Sequence, residues 1–383
     1  MRLFSFLTTY CVLSLFVSCS FDGQPKPNIV WIVCEDISPY IGAYDDSIAR
    51  TPNIDALAQD GVLFTKVYTT AGVCAPSRSS IITGMHQISI GTMHMRTSSA
   101  KLPEISGGYA AVLPDYVKPF PHYLREAGYY TTNNAKKDYQ FADPVTVWDE
   151  SSIGAGYQNR SYGQPFFAVY NFAATHESQV ISPPDSLYRD PSQMPLPPFY
   201  QDAPQIRHDM AALYTRIEQM DQDVGELIEQ LKNDGVYDQS YVIFFSDHGG
   251  NLPWTKRELL ERGTHIPFVV KFPNGRHSGT VNHDLISAVD FAPSILSLAG
   301  ISIPTHLQGR AFLGAKADEN KNPYVFAARD RMDEHPERVR AVFDGTYRYV
   351  FNFHPEWPKY QDLAYRKRMA SMQEILEMRT QNK

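Results

Sequence analysis

The residues best suited to chemistry stand in one short run, Cys74-Ala75-Pro76-Ser77-Arg78, followed by Ser79-Ser80-Ile81-Ile82-Thr83-Gly84. A nucleophilic side chain there precedes a Pro-Ser-Arg turn that opens a helix. The positive end of that helix and the Arg78 guanidinium both favour an anion beside position 74. A second pair, Glu35-Asp36, follows a buried apolar run. Adjacent carboxylates with no nearby base repel one another, and such oxygen donors suit a hard divalent cation. Taken alone, the pair would more often be a solvated turn, and the cysteine a buried structural thiol.

The elements that must hold these residues read as an α/β chain. Asn28–Cys34 is a continuous apolar run bounded by polar residues, the pattern of a fully buried strand in a parallel sheet. It delivers Glu35-Asp36 to its carboxyl end, where open α/β sheets place ligands. Thr51 and Pro52 open a helix as N-cap and first residue. Pro165–Phe172 and Tyr241–Ser246 read as two further buried strands. From Ile206 to Leu231, Met210, Leu213, Ile217, Met220, Val224 and Leu227 recur at steps of three and four, which predicts one long amphipathic helix. Its charges, Glu218 and Asp221 among them, read as a solvated face. Residues 181–205 are Pro-rich and polar, a long surface loop. Beyond Pro323, Val339–Phe343 and Tyr347–Phe353 alternate and are joined by Asp344-Gly345, a hairpin signal. A charged helix over Leu363–Met378 follows.

The Cys74 segment resembles the signature of the type I sulfatases, Cys-x-Pro-Ser-Arg with a Thr-Gly after it. The resemblance implies that Cys74 is oxidised after translation to formylglycine by a maturation enzyme, and that its hydrate attacks sulfur. Glu35-Asp36 stands where the family usually shows Asp-Asp. Ser246-Asp247-His248-Gly249-Gly250 resembles the segment that completes the metal site, with His248 where many sulfatases have Asn. The implied metal set is Glu35, Asp36, Cys74, Asp247 and His248 around Ca²⁺, with Mn²⁺ or Mg²⁺ as alternatives because histidine softens the site. Lys256-x4-Glu261-x-Gly263-x3-Pro267 is similar to the segment whose lysine contacts the sulfate ester. Gly128-Tyr129-Tyr130-Thr131-x4-Lys136 matches another family segment. That pattern normally continues Lys-Trp-His, a histidine that helps break down the sulfated hydrate, but here Lys137-Asp138 follows. Asp138, or His86 or His94 from elsewhere, would have to replace it. Phe166–Phe172 leads into Thr175-His176-Glu177, resembling the strand whose following histidine faces the leaving group.

The match runs from Asn28 to Gly309 and includes Asp290-Phe-Ala-Pro-Ser294 and Leu307-Gln-Gly-Arg310. Its texture is that of bacterial heparan N-sulfatase-like and ulvan-active polysaccharide sulfatases. The implied fold is an alkaline-phosphatase-like sandwich on a mostly parallel central sheet. A catalytic domain is expected over 28–315, with a smaller α+β subdomain over 320–383 that is short for the family and so incomplete. Expected catalytic residues are Cys74, Arg78, Lys136, His176 and Lys256, acting on a sulfated glycan. Metal, arginine and lysines would neutralise the spread charge of a sulfate ester, and His176 would protonate the leaving alkoxide. Two competing readings remain at this stage: a phosphate or phosphonate ester hydrolase on the same fold, and a non-catalytic sulfated-glycan-binding relative.

Composition sets the bounds. Over 383 residues, aromatics make up 13% and apolar residues 43%, which excludes a disordered chain. A net charge of −7 with no basic run argues against nucleic acid as a partner. Residues 1–19 read as a signal peptide: Arg2, an apolar run from Leu3 to Val17, then Ser18-Cys19. Leu15-Phe16-Val17-Ser18-Cys19 resembles a bacterial lipobox, so the expectation is a lipid anchor at Cys19 and a periplasmic or outer-membrane location. Of the four cysteines, Cys11 and Cys19 then belong to targeting. Cys34 is expected to be a buried free thiol, not a disulfide partner of Cys74.

Overall fold

The computed structural model describes residues 26–95, 110–357 and 361–381. The signal segment and Cys19 lie outside them. Eight strands form the central sheet: β1 (Asn28–Cys34), β2 (Val62–Phe64), β3 (Tyr130–Asn134), β4 (Glu150–Ser152), β5 (Phe166–Phe172), β6 (Ser240–Ser246), β7 (Phe268–Lys271) and β8 (Thr280–Asn282). They lie in the order β8-β2-β7-β6-β1-β5-β3-β4, and β7 alone runs antiparallel to its neighbours. The expected mostly parallel sheet is therefore present.

Why β1 is apolar throughout follows from its place at the centre. Val30, Ile32 and Cys34 point into one core, with α1 (Pro52–Gln59) and the 30-residue α3 (Pro204–Asn233) packed over it. Ile29, Trp31 and Val33 point into the other core, which α2 (Cys74–Thr83) and α4 (Phe291–Leu298) cover. A strand buried on both faces has no position left for a polar side chain. This alternation also settles the two cysteines. Cys34 faces the core opposite to α2, and both Cys34 and Cys74 are buried and free.

The register brings the chemistry to one edge. Cys34 lies beside Phe172 of β5 and Ser246 of β6, so the segments leaving these three strands emerge side by side. Asn134 of β3 pairs with Tyr170 of β5, placing the segment that carries Lys136 on the same edge.

A separate antiparallel sheet, β9 (Val325–Arg329), β10 (Val339–Phe343) and β11 (Arg348–Asn352), packs against this body, with Gly345 at φ +93° in the hairpin turn. The last helix, α5, covers Ala370–Thr380 and not Leu363–Met378. A short 3₁₀ turn at Arg366–Arg368 and the extended Met369 interrupt the apparent periodicity.

One expectation on α3 is overturned. Asp221 is 1% exposed and caps α1: its carboxylate accepts from the Asn53 amide at 3.2 Å and the Ile54 amide at 2.9 Å. Thr51, expected to do this, instead accepts from the Gly42 amide and donates to Asp55. Glu218 is half-buried and pairs with Arg189 at 3.1 Å.

Candidate active site

Cys74 is the first residue of α2, all ten of whose residues are buried. A wholly buried helix so rich in serine must satisfy every hydroxyl internally. Ser77 donates to the Asp247 carbonyl at 2.5 Å, Ser79 accepts from the Gln140 amide, and Ser80 donates to Gln87. These bonds fix the helix rigidly against the strand ends. Gly84 terminates it at φ +66°, and its amide donates to the Ser80 carbonyl, which explains the glycine of the Thr-Gly tail.

The thiol looks into a cluster of ionisable groups. Cys74 Sγ lies 3.3 Å from His248 Nε2 and 3.9 Å from Asp36 Oδ1. His248 Nε2 is 2.9 Å from Asp36 Oδ1 and 3.7 Å from Asp247 Oδ1. One ligand atom from each of Asp36, Cys74, Asp247 and His248 fits within 4.8 Å of all the others; Glu35, Asp36, Cys74 and His176 form an overlapping set. Asp36 sits in the left-handed region at φ 57°, a conformation that turns both carboxylates of the Glu35-Asp36 pair toward the cluster instead of alternating them.

The donor set fits a divalent cation. His248 Nδ1 faces the Gly249 carbonyl at 2.8 Å and must donate to it, so the Nε2 lone pair is directed at the carboxylates. Burial lowers the imidazole pKa, but Asp247 and Asp36 outweigh it and lift the group to about 10. A proton there takes the place that a cation's charge would fill. Against the cost of burial, Lys256 and His248 hold the Asp36 carboxyl well below its usual range. Burial instead raises Glu35, even with Arg78 and Lys136 nearby.

Three cations and a histidine surround these carboxylates. Arg78 Nε donates to Asp247 Oδ2 and its NH1 to Asn171 Oδ1, both at 2.8 Å, while its buried NH2 has no protein partner. Lys136 Nζ bonds to Glu35 and lies 3.7 Å from Asp138. Lys256, 1% exposed, bridges Asp36 Oδ2 at 2.5 Å and Glu177 Oε1 at 3.1 Å. His176 Nε2 is 3.9 Å from Glu35, and its Nδ1 lies 2.8 Å from the Ser178 hydroxyl and 3.3 Å from the Ser178 amide, so Nε2 is the nitrogen that faces the site. Burial lowers its pKa below the ordinary histidine value.

The nine residues expected for catalysis and metal binding thus converge at this edge. His86 sits beyond the far end of α2, beside Gln308 and Asp290, remote from Cys74. The Asp290 and Leu307–Arg310 segments serve that far end too: Gln308 donates to the Gly84 carbonyl, and Arg310 to Asp290. His94 belongs to the near side, since its neighbour Met95 packs with Cys74.

Sequence reasoning gave no role to four contributors. Asn171 ties Arg78 to Asn133 and Asn134 on β3. Glu177 receives both terminal nitrogens of Arg257, at 2.9 and 2.8 Å, besides Lys256. Met332 and Leu363, from the C-terminal segment, pack directly against Val73, Cys74 and Ala75. A small residue is also essential at Gly249, because a Cβ there would meet the Arg262 carbonyl at 2.2 Å. That close approach is what lets the loop carrying Lys256 lie on the loop carrying His248.

Comparison with known proteins agrees with this geometry. The ulvan-active sulfatase of Formosa agariphila is 39% identical over 395 residues, covering 94% of this chain and 66% of its own length. The human N-sulphoglucosamine sulphohydrolase is 27% identical, covering 91% of this chain and 77% of its own. Among solved structures, one determined in complex with its substrate D-glucosamine-2-N,6-O-disulfate superposes with a TM-score of 0.68 at 16% identity, covering 93% of this chain and 95% of that one. The phosphonate monoester hydrolase of Silicibacter pomeroyi superposes at 0.64 with 17% identity, covering 94% and 96%. These two likenesses establish an alkaline-phosphatase-like fold. Residues 27–301 match the family model described as Sulfatase, and with that match the chain belongs to the sulfatase family.

Proposed function

We propose that this chain is a formylglycine-dependent sulfatase that hydrolyses sulfate esters or N-sulfates of a sulfated polysaccharide or oligosaccharide. The observation that carries this reading is Cys74 at a buried helix N-terminus, 3.3 Å from His248 in a carboxylate cluster, with one Arg78 nitrogen left for an anion. The names of the relatives, ulvan-active sulfatase and N-sulphoglucosamine sulphohydrolase, support a sulfated glycan as substrate. Catalysis is assigned to residues 28–315, with 320–383 as a smaller subdomain. The signal-like segment supports export, and Cys19 as the point of lipid attachment. Among the described residues, no helix is long and apolar enough to cross a membrane.

Glu35, Asp36, Asp247 and His248 would hold the cation, taken as Ca²⁺, with position 74 as the fifth donor. When matured and loaded, position 74 supplies an oxygen nucleophile as an aldehyde hydrate, and the cation lowers its pKa. The chain's own groups do the rest. Arg78 NH2, Lys136 and Lys256 receive the anion from three sides in a buried, low-dielectric setting, where fixed charges act most strongly. As the imidazolium, His176 presents Nε2–H to the cluster and gives that proton to the leaving oxygen or nitrogen, returning to neutral imidazole. Asp138, beside Lys136, stands where the family's second histidine would act and accepts the proton that releases sulfate.

A phosphate or phosphonate ester hydrolase is the second reading. His248 in the metal set and the Silicibacter pomeroyi likeness in fold favour it. Two measurements decide between them. Peptide mass spectrometry across Cys74, on protein made with a competent maturation system, should find the aldehyde. Parallel turnover of an aryl sulfate and an aryl phosphate should favour the sulfate and vanish in Cys74→Ala. Full sulfatase activity in Cys74→Ala, or an unmodified Cys74 in active protein, would refute the assignment.

A further inference from the structure

Lys256 stands on a strained backbone that local turn bonds hold only in part. Trp254 and Arg257, on either side, both lie in the left-handed region, at φ 63° and 74°. For residues with a side chain, such a conformation persists only where its surroundings over-determine it. The Arg257 amide donates to the Gly72 carbonyl at 2.6 Å, and further support comes from the C-terminal segment. Arg366 NH2 donates to the Lys256 carbonyl at 2.9 Å, from 110 residues further along the chain. Arg329 NH1 donates to the next carbonyl, that of Arg257, also at 2.9 Å, and to Glu258 at 2.8 Å. Two successive carbonyls are thus gripped by two buried arginines.

The charges of this region are paired. Lys256, Arg257, Arg329 and Arg366 face Glu177, Glu258, Asp333 and Glu337, and Lys256 also faces Asp36. Loss of one member of such a buried cluster leaves an uncompensated charge. The same cluster ends on the site, since Glu177 contacts Lys256 and its amide donates to Asp36 Oδ2 at 2.8 Å.

We propose that Arg366, with Arg329, is a positioning residue that keeps the Lys256 ammonium between Asp36 and Glu177, so that the C-terminal segment sets the catalytic geometry. The proposal rests on the reading above, in which Lys256 meets the sulfate. A purely stabilising role would lower melting temperature without acting through Lys256.

The test is a double-mutant cycle on the full, metal-loaded, matured chain: Arg366→Ala, Lys256→Ala and both together, with Arg366→Lys as the conservative variant. Arg366→Ala should lower kcat/KM for an aryl sulfate about 100-fold, chiefly through kcat, as displacements near 1 Å do. Arg366→Lys, which can still donate to the carbonyl, should recover at least tenfold of this. In the Lys256→Ala background, Arg366→Ala should cost less than threefold more. If the two losses multiply, or folded Arg366→Ala keeps full turnover, the proposal fails. Should Arg366→Ala not fold, Arg366→Gln takes its place in the cycle with the same criteria. A second readout needs no turnover: Lys256 labelling by an N-hydroxysuccinimide ester, followed by peptide mass spectrometry, should rise at least tenfold relative to other lysines in Arg366→Ala or its substitute. Unchanged labelling would overturn the proposal. Matured wild-type chain that hydrolyses no sulfate ester would defeat the functional reading alone, and the labelling would still decide the positioning.

Discussion

Arg78 reaches Asp247 through Nε at 2.8 Å while its NH2, buried in the same cluster, meets no protein acceptor. One guanidinium therefore neutralises the Asp247 carboxylate and keeps a second donor in reserve. Lysine cannot do both, because it lacks the planar fork. Arg78→Lys is expected to lower kcat/KM for a sulfate ester by about 10²–10³, the usual cost of one preorganised transition-state donor. Arg78→Ala should also cost about 3–5 kcal/mol of stability, since Asp247 would stay buried without its partner. Steady-state kinetics and urea denaturation measure the two separately, and an unaltered kcat/KM in Arg78→Lys would remove NH2 from the mechanism.

Three carboxylates buried at one strand edge imply that cation binding stabilises the fold. Chelation should abolish turnover and lower the melting temperature. Adding Ca²⁺ at about 100 times its Kd should restore about 2.7 kcal/mol. Because the His248 nitrogen softens the site, His248→Asn should shift the stabilisation toward Ca²⁺ and away from Mn²⁺. Melting curves recorded with each ion check this, and a melting temperature indifferent to chelator would contradict the assignment.

Much of this site was legible because its residues sit just past buried strands. The apolar run Asn28–Cys34 announces β1, and whatever follows such a strand lies at the ligand-binding edge. Glu35, Asp36, Asp247 and His176 all have that property. Lys136 also follows a strand, β3, but the polar run Tyr130–Asn134 does not announce it, and Lys256 follows no strand; both came only from family resemblance. What could not be read is contact between distant segments. Arg257 and Glu177 are 80 residues apart, and Arg366 and Lys256 are 110; no periodicity encodes either pair. Asp221 was misread for a related reason. A charge on the flank of an amphipathic stripe looks solvated until another helix N-terminus is set against it.

That misreading yields a prediction of its own. Asp221 accepts from the Asn53 and Ile54 amides and from the Asn53 side chain, so it works as an N-cap supplied by a neighbouring helix. Replacing a capping carboxylate by alanine costs about 0.5–2 kcal/mol, and the upper end is expected for a buried one. Asp221→Ala should lower the unfolding free energy from urea denaturation by that amount and leave kcat intact, because α1 carries no site residue. A change in kcat at unchanged stability would mean that α1 communicates with the strand edge in some other way.

Acid should loosen the C-terminal sheet before the core. Glu261 accepts from Tyr68 OH at 2.7 Å and Arg348 NH2 at 2.8 Å, and lies 3.2 Å from His265 Nδ1. Burial raises its pKa, but the bonds and charge of His265, with Tyr68 and Arg348, outweigh burial and hold it at about 2, against an ordinary 4.5. A carboxyl depressed on folding favours the native state above its unfolded pKa. That contribution is therefore full above about pH 4.5 and is lost as pH falls toward 2. Arg348 belongs to β11, so the loss should appear first as faster amide exchange in β10 and β11. Glu261→Gln removes the titrating group: its exchange at pH 6 should already be faster than wild type, and the difference should close between pH 4.5 and 2. Exchange profiles that stay parallel across that window would show that Glu261 does not fasten this sheet.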